Sequence, residues 1–217
     1  MRHRIAWLLS LLLALACGWA ASSVANALAE HAPRFPQLTM DQLTDEQRPL
    51  GEKIMKISSV GLAGPYNPML RSPVMAQRMY DLLDYLRWKT SVPTRLNEFA
   101  ILIQARLWRS QVEWYAHYPL ALKAGLSEAV AADLKANKRP AGMQPDEAAI
   151  YDFCMELSTG HKVSDETYGK AKDVLGDQGI VDLTALSGTY VAVAMILSAA
   201  EESVPPGKEA PFTPDEP

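Results

Sequence analysis

The segment from Thr94 to Tyr118 constrains the fold more than any other part of the chain. It carries helical periodicity and is apolar around most of its circumference. With Glu98 set at 0° and 100° per residue, Arg109 falls at about 20°, Glu113 at about 60° and Arg106 at about 80°. His117 then falls at about 100° and Ser110 at about 120°, so all of these named groups share one sector. Ile101, Ala105, Trp108, Val112 and Tyr115 fill a second sector, and Ala100, Ile103, Leu107 and Trp114 a third. A helix with two apolar faces is buried between neighbours. Its polar stripe must then face a cleft, an interface or internal partners, because buried charges are costly unless paired.

The rest of the chain follows the same periodicity. Thr44-Asp45-Glu46-Gln47 has capping-box spacing and starts a helix to about Ser58. Gly61, Gly64, Pro65 and Pro68 form a loop. Ser72-Pro73 is an N-cap with proline at the first helical position, and the helix runs to about Lys89. Thr94 caps the long helix, which runs toward Ala124 and stops at Gly125, with Pro119 as the expected point of a split or kink. Ser127 caps a helix to about Lys138, Asp146–Ser158 forms the next, and Ser164 caps one to about Leu175. Gly176 and Gly179 punctuate before a final helix from Val181 to Glu201. No run shows sustained period-2 alternation, so the fold class is all-α.

Both ends differ from the middle. Arg2, His3 and Arg4 precede the apolar run Ile5–Ala16, and small residues then end in Ala25-Asn26-Ala27. A basic start, a short apolar run and an A-x-A end are the parts of a secretory signal peptide. Residues 1–27 are therefore expected to be a signal for export, with a periplasmic mature protein. An uncleaved anchor, or a lipid anchor at Cys17, is the alternative. Residues 28–49 form a proline-containing N-terminal extension, 50–204 the helical domain, and 205–217 a flexible, proline-rich acidic tail.

Composition removes several functions. The chain has 217 residues and a formal charge of −4; losing residues 1–27 removes two Arg and no acid and takes it to −6. That balance gives no footprint for nucleic acid and argues against an anionic membrane surface as partner. Two cysteines, Cys17 and Cys154, are too few for a disulfide framework or thiolate metal site, and only Cys154 survives cleavage. There is no H-E-x-x-H, no glycine-rich dinucleotide fingerprint and no P-loop.

Two readings of the polar stripe stand side by side. In one, Arg109–Glu113 and Glu113–His117 are i, i+4 pairs of a structural ion ladder. In the other, a Glu and a His one turn apart pass a proton while a nearby Arg holds a carboxylate.

Glu98, Ser110, Glu113 and His117 have the spacing E-x11-S-x2-E-x3-H. This resembles the alkylhydroperoxidase-D-like redox proteins, which carry E-x11-C-x2-C-x3-H. Val92–Glu98 and Ala121–Ser127 also resemble the carboxymuconolactone decarboxylase superfamily. Gln111–His117 is similar to its decarboxylase-like branch, which has Glu for the second cysteine. The best-matching core is about residues 50–130. The resemblance implies an alkylhydroperoxidase-D-like helical bundle that forms a homo-oligomer, often a trimer or hexamer. It implies a lyase without metal or organic cofactor, acting on a small carboxylated lactone or ring compound. His117, Glu113 and Glu98 would handle protons. Arg106, Arg109 and Arg71 would hold carboxylates, with Ser110 and Trp114 lining the substrate site. Thiol peroxidase chemistry, which the superfamily name carries, has no support where Ser110 and Glu113 replace the cysteines. A non-catalytic exported protein that binds a small molecule is a third reading.

Overall fold

The computed structural model describes residues 34–58 and 60–212. The signal peptide expected at 1–27 and the last residues of the tail lie outside the described residues. Phe35 onward forms one compact unit. Its helices are α1 (Arg48–Ile57), α2 (Tyr66–Met69), α3 (Pro73–Trp88), α4 (Thr94–Leu107), α5 (Gln111–Lys123), α6 (Glu128–Lys135), α7 (Pro145–Gly160) and α8 (Asp165–Ala200). A single 3-10 turn, Met40–Gln42, precedes them, and no strand occurs among the described residues. The all-α class is as the periodicity required.

α4 is the axis of the molecule. Every residue from Leu96 to Arg106 is buried. α5, α6, α7 and α8 pack around it, which is the environment that its two apolar faces demand. Phe99, Ile101, Leu102 and Ile103 meet Ile150, Phe153, Leu183 and Leu186 in the main core. A second cluster under the N-terminal segment joins Leu43, Leu50, Ile54, Leu62, Met69 and Leu70. α8 is long and apolar enough to cross a membrane by length and composition alone; here its stripe Leu183, Leu186, Tyr190, Val193 and Leu197 is packed into the core.

The expected long helix from Thr94 is corrected. It breaks at Trp108–Ser110, not at Pro119, which lies inside α5. Arg109 adopts φ 51°, in the left-handed region. The Ser110 N–H donates to the Ala105 carbonyl at 2.8 Å and the Arg109 N–H to the Arg106 carbonyl at 3.1 Å. This is a Schellman-type stop made without glycine. Ser110 then becomes the N-cap residue of α5. Pro119 is tolerated because it sits on an exposed side of α5, where only one ladder bond is lost.

Several caps match expectation. The Thr44 and Gln47 side chains bond each other's backbone N–H reciprocally. Ser127 and Ser164 accept from the backbone N–H of Ala129 and Thr167. Gly176, with φ 69° and ψ −179°, bends α8 where punctuation was expected.

Polar anchors fix the frame around α4. The Asp182 carboxylate on α8 accepts from Tyr85 Oη, Thr90 Oγ1, Ser91 Oγ and the Ser91 N–H, at 2.9–3.2 Å. This ties the α3–α4 junction to α8. Burial opposes its ionisation, but these bonds win and hold the carboxyl below its usual range. Arg95 at the start of α4 pairs with Asp146, at 2.6 Å, and with Glu147 at the start of α7. In the stretch expected to be loose, Phe212 is buried. Its ring meets Trp114 edge-on at 5.2 Å, and its backbone N–H and carbonyl both bond the Gln111 amide.

Candidate functional site

The break at Arg109 folds α5 back along α4, and this brings Glu98 and His117 together. His117 Nδ1 lies 2.6 Å from Glu98 Oε2. The residues are buried, at 4% exposure for Glu98 and 7% for His117. They meet across a helix–helix contact rather than along one helical stripe. On the other edge of the imidazole, Tyr190 Oη of α8 lies 3.2 Å from His117 Nε2. The two rings are edge-to-face, with centroids 5.1 Å apart.

The protonation of this chain follows from its surroundings. Burial lowers the His117 pKa, and Arg87 adds to the lowering, against the raising effect of Glu98. The imidazole is therefore neutral. Its Nδ1–H donates to the Glu98 carboxylate, which leaves Nε2 as an acceptor. Burial pushes the Tyr190 phenol well above its usual range. Tyr190 thus keeps its proton and donates to Nε2. The order carboxylate, imidazole, hydroxyl is the arrangement that orients a histidine base.

Glu113 stands beside this chain in the first turn of α5. It is 3% exposed, and neither carboxyl oxygen has a hydrogen-bond partner. The Ser110 hydroxyl is also buried without a partner of good geometry. Burial raises the Glu113 pKa to about 8, offset in part by the nearby Ser110. A helix N-terminus favours a carboxylate by up to about 2 kcal/mol, yet desolvation wins here. Glu113 carries its proton at neutral pH. The i, i+4 ladder reading finds no support, because Glu113 bonds neither His117 nor an arginine. Among the described residues no three His, Cys, Asp or Glu side chains gather as metal ligands would.

The remaining expected residues divide. Arg106 is buried, with its guanidinium over the Phe212 ring at 5.3 Å. Arg109 supplies the left-handed turn between α4 and α5. Arg71 does not join the site; its guanidinium donates to the Pro36 carbonyl at 2.5 Å and lies over the Phe35 ring. Trp114 is a core residue, stacked on Tyr118 at 6.1 Å and against Phe212. Trp108, placed in an apolar sector by the helix projection, is 39% exposed because the helix ends there. Cys154 is fully buried near Ser187 Oγ, and burial pushes its thiol up to about 12. It is inert as a nucleophile.

Two residues of this neighbourhood had no place in the sequence reading. Tyr190 lies on the apolar stripe of α8, where its hydroxyl is the single polar atom that needs a partner. Arg87 follows Leu86 on α3 and looks like an ordinary basic residue near a helix end.

No protein-family model and no curated protein matches the sequence. Solved structures do. The chain is similar to a protein of Ralstonia eutropha JMP134 described as an alkylhydroperoxidase AhpD core and an uncharacterized peroxidase-related protein. That similarity has a TM-score of 0.69 at 14% identity, over 80% of this chain and 93% of that one. It is also similar to an uncharacterized peroxidase-related protein of Silicibacter sp. TM1040. Here the TM-score is 0.63 at 15% identity, over 78% of this chain and 91% of that one. At these identities the likeness speaks of fold, and the fold of this chain is that of the AhpD core.

Proposed function

We propose that this protein is a cofactor-independent acid/base enzyme, a lyase acting on a small carboxylated lactone or ring compound. The observation that carries the reading is the pairing of two opposite proton sites in one buried cluster. Glu98 and Tyr190 orient His117, which burial keeps neutral, while Glu113 is held protonated. Titratable groups whose environments push them apart mark the acid and the base of a site. In a decarboxylation, the bond to the departing carboxylate breaks and its electron pair moves into the unsaturated lactone. Glu113 then delivers a proton to the carbon, and water restores it. His117 orients the substrate, or takes a proton where the reaction begins by losing one. The structural neighbours are named for peroxidases, but thiol peroxidase chemistry lacks its groups here. Ser110 and Glu113 stand at the cysteine positions, and Cys154 is buried. The proposal takes the chain as an exported homo-oligomer, supported by its signal-like start and the family resemblance.

The test is CO2 release from γ-carboxymuconolactone by residues 28–217, without metal or reductant. We expect release that falls at least about 100-fold in His117→Ala and in Glu113→Gln, the lower range for removing a general acid or base. Full turnover in both variants contradicts the assignment. Absence of release from the folded wild type removes this substrate and leaves the ligand-binding reading.

A further inference from the structure

We propose that a shallow surface depression walled by Ile57, Tyr66, Tyr80, Leu83, Asp84, Arg87 and Trp88 is an anion subsite, in which Arg87 receives a carboxylate while the small aromatic or unsaturated ring that bears it lies outside, against Trp88 and Ile57. The proposal rests on the acid/base reading of the neighbouring Glu98–His117 pair and assigns its substrate-holding cation. The three arginines read from the sequence for that task are placed elsewhere: Arg71 on the N-terminal segment, Arg106 over Phe212 and Arg109 in the turn between α4 and α5.

Arg87 is half-buried in the last turn of α3. Its Nε is buried without a hydrogen-bond partner. Among the described residues no carboxylate forms an ion pair with it. Asp84, the one acid on the cleft wall, is held by Lys89 at 2.5 Å. The contact that Arg87 does make is with the Trp88 ring, 4.5 Å from its guanidinium carbon. A buried N–H without a partner costs stability that a bound oxygen would recover. A guanidinium against an aromatic face also suits a planar carboxylate, which it binds through two parallel N–H donors.

The walls suit such a ligand. Trp88 is 58% exposed at the rim, and Ile57 is 50% exposed beside it. They offer apolar surface to a ring. Tyr66 and Tyr80 both keep their protons, since burial raises each phenol. They can donate to an anion.

The cleft also reaches the proton chain electrostatically. The charge on Arg87 acts on Tyr66 in the wall and on Tyr190 and His117 behind it. The titratable and charged groups around His117 are Glu98 of α4, Glu113 of its own α5, Tyr190 of α8 and Arg87 of α3. Burial is the main cause that lowers His117, and a carboxylate bound at Arg87 offsets the positive charge that adds to it. The imidazole then becomes a stronger base when the ligand is present.

The test uses benzoate and its neutral isostere benzamide. Wild type, Arg87→Met, Arg87→Lys and Arg78→Met are titrated, reading tryptophan emission and melting temperature. Arg78 is exposed on the same helix and is the charge control. We expect saturable binding of benzoate over benzamide, weakened at least about tenfold in Arg87→Met and kept in Arg78→Met. Arg87→Lys keeps the charge but loses the fork, and should bind with intermediate affinity. Should Arg87→Met fail to fold, the Lys variant decides. Benzoate should also raise the His117 pKa, followed by ring-proton NMR, in wild type but not in Arg87→Met. Benzoate that fails to bind, or that binds the Arg87 variants as well as wild type, overturns the proposal. His117→Ala should still bind benzoate. Loss of the acid/base reading, seen in turnover, is therefore distinguishable from loss of the subsite, seen in binding.

Discussion

Glu113 shows how far surroundings can reverse the habit of a residue. An exposed glutamate titrates near 4.5, but this one holds its proton to about pH 8. Between those values the native state binds one more proton than the unfolded chain, so stability falls as pH rises through that window. His117 acts in the opposite sense: its pKa is lowered from 6.5, and stability is lost as pH falls below that value. Between about pH 6.5 and 8, of the two only Glu113 differs in bound protons between the native and unfolded states. Denaturant melts there should show wild-type stability falling by up to about 1.4 kcal/mol per pH unit. Glu113→Gln should flatten that slope; a slope unchanged in the variant would mean that Glu113 is ionised throughout. Tyr190→Phe should cost about 1 kcal/mol for the lost bond to His117. It should also lower turnover more than stability, as rate measurements on the folded variant would show.

At the level of elements, most boundaries were readable because local chemistry sets them. Ser127, Ser164, Ser72-Pro73 and the Thr44–Gln47 pair all mark helix starts that the structure keeps. The break between α4 and α5 was not readable. Its left-handed residue is Arg109, and no glycine or proline announces it. The helix projection nevertheless grouped Glu98 with His117, because both belong to the buried polar face of their own helices. It missed Tyr190, which comes from α8 by tertiary packing alone. Gly176 illustrates a readable constraint. Its φ 69° and ψ −179° belong to a region essentially reserved for glycine. A Cβ there meets nothing within 4 Å. Gly176→Ala should therefore cost about 1–3 kcal/mol through backbone strain alone. Chemical denaturation checks this, and an unchanged midpoint would show that the bend relaxes.

In the whole molecule, the core and the site share one construction: α4 is enclosed by its neighbours, so Glu98 on it pairs with His117, while Glu113 on the adjoining α5 is left to keep its proton. The C-terminal stretch takes part. Phe212 covers Trp114 and the guanidinium of Arg106. Phe212→Ala should lower stability by up to about 3 kcal/mol, the lower range for deleting a buried phenylalanine. It should also shift tryptophan emission to the red as Trp114 meets water; emission unchanged would place that ring outside solvent reach without Phe212. The central claim is that one buried cluster holds a proton on Glu113 and an acceptor on His117 at the same pH. It is tested most directly by carboxyl 13C NMR of glutamate-labelled protein, with Glu113 assigned through Glu113→Gln. The account predicts a midpoint near 8 for Glu113. A midpoint near the usual 4.5 would contradict it and leave the cluster without its acid.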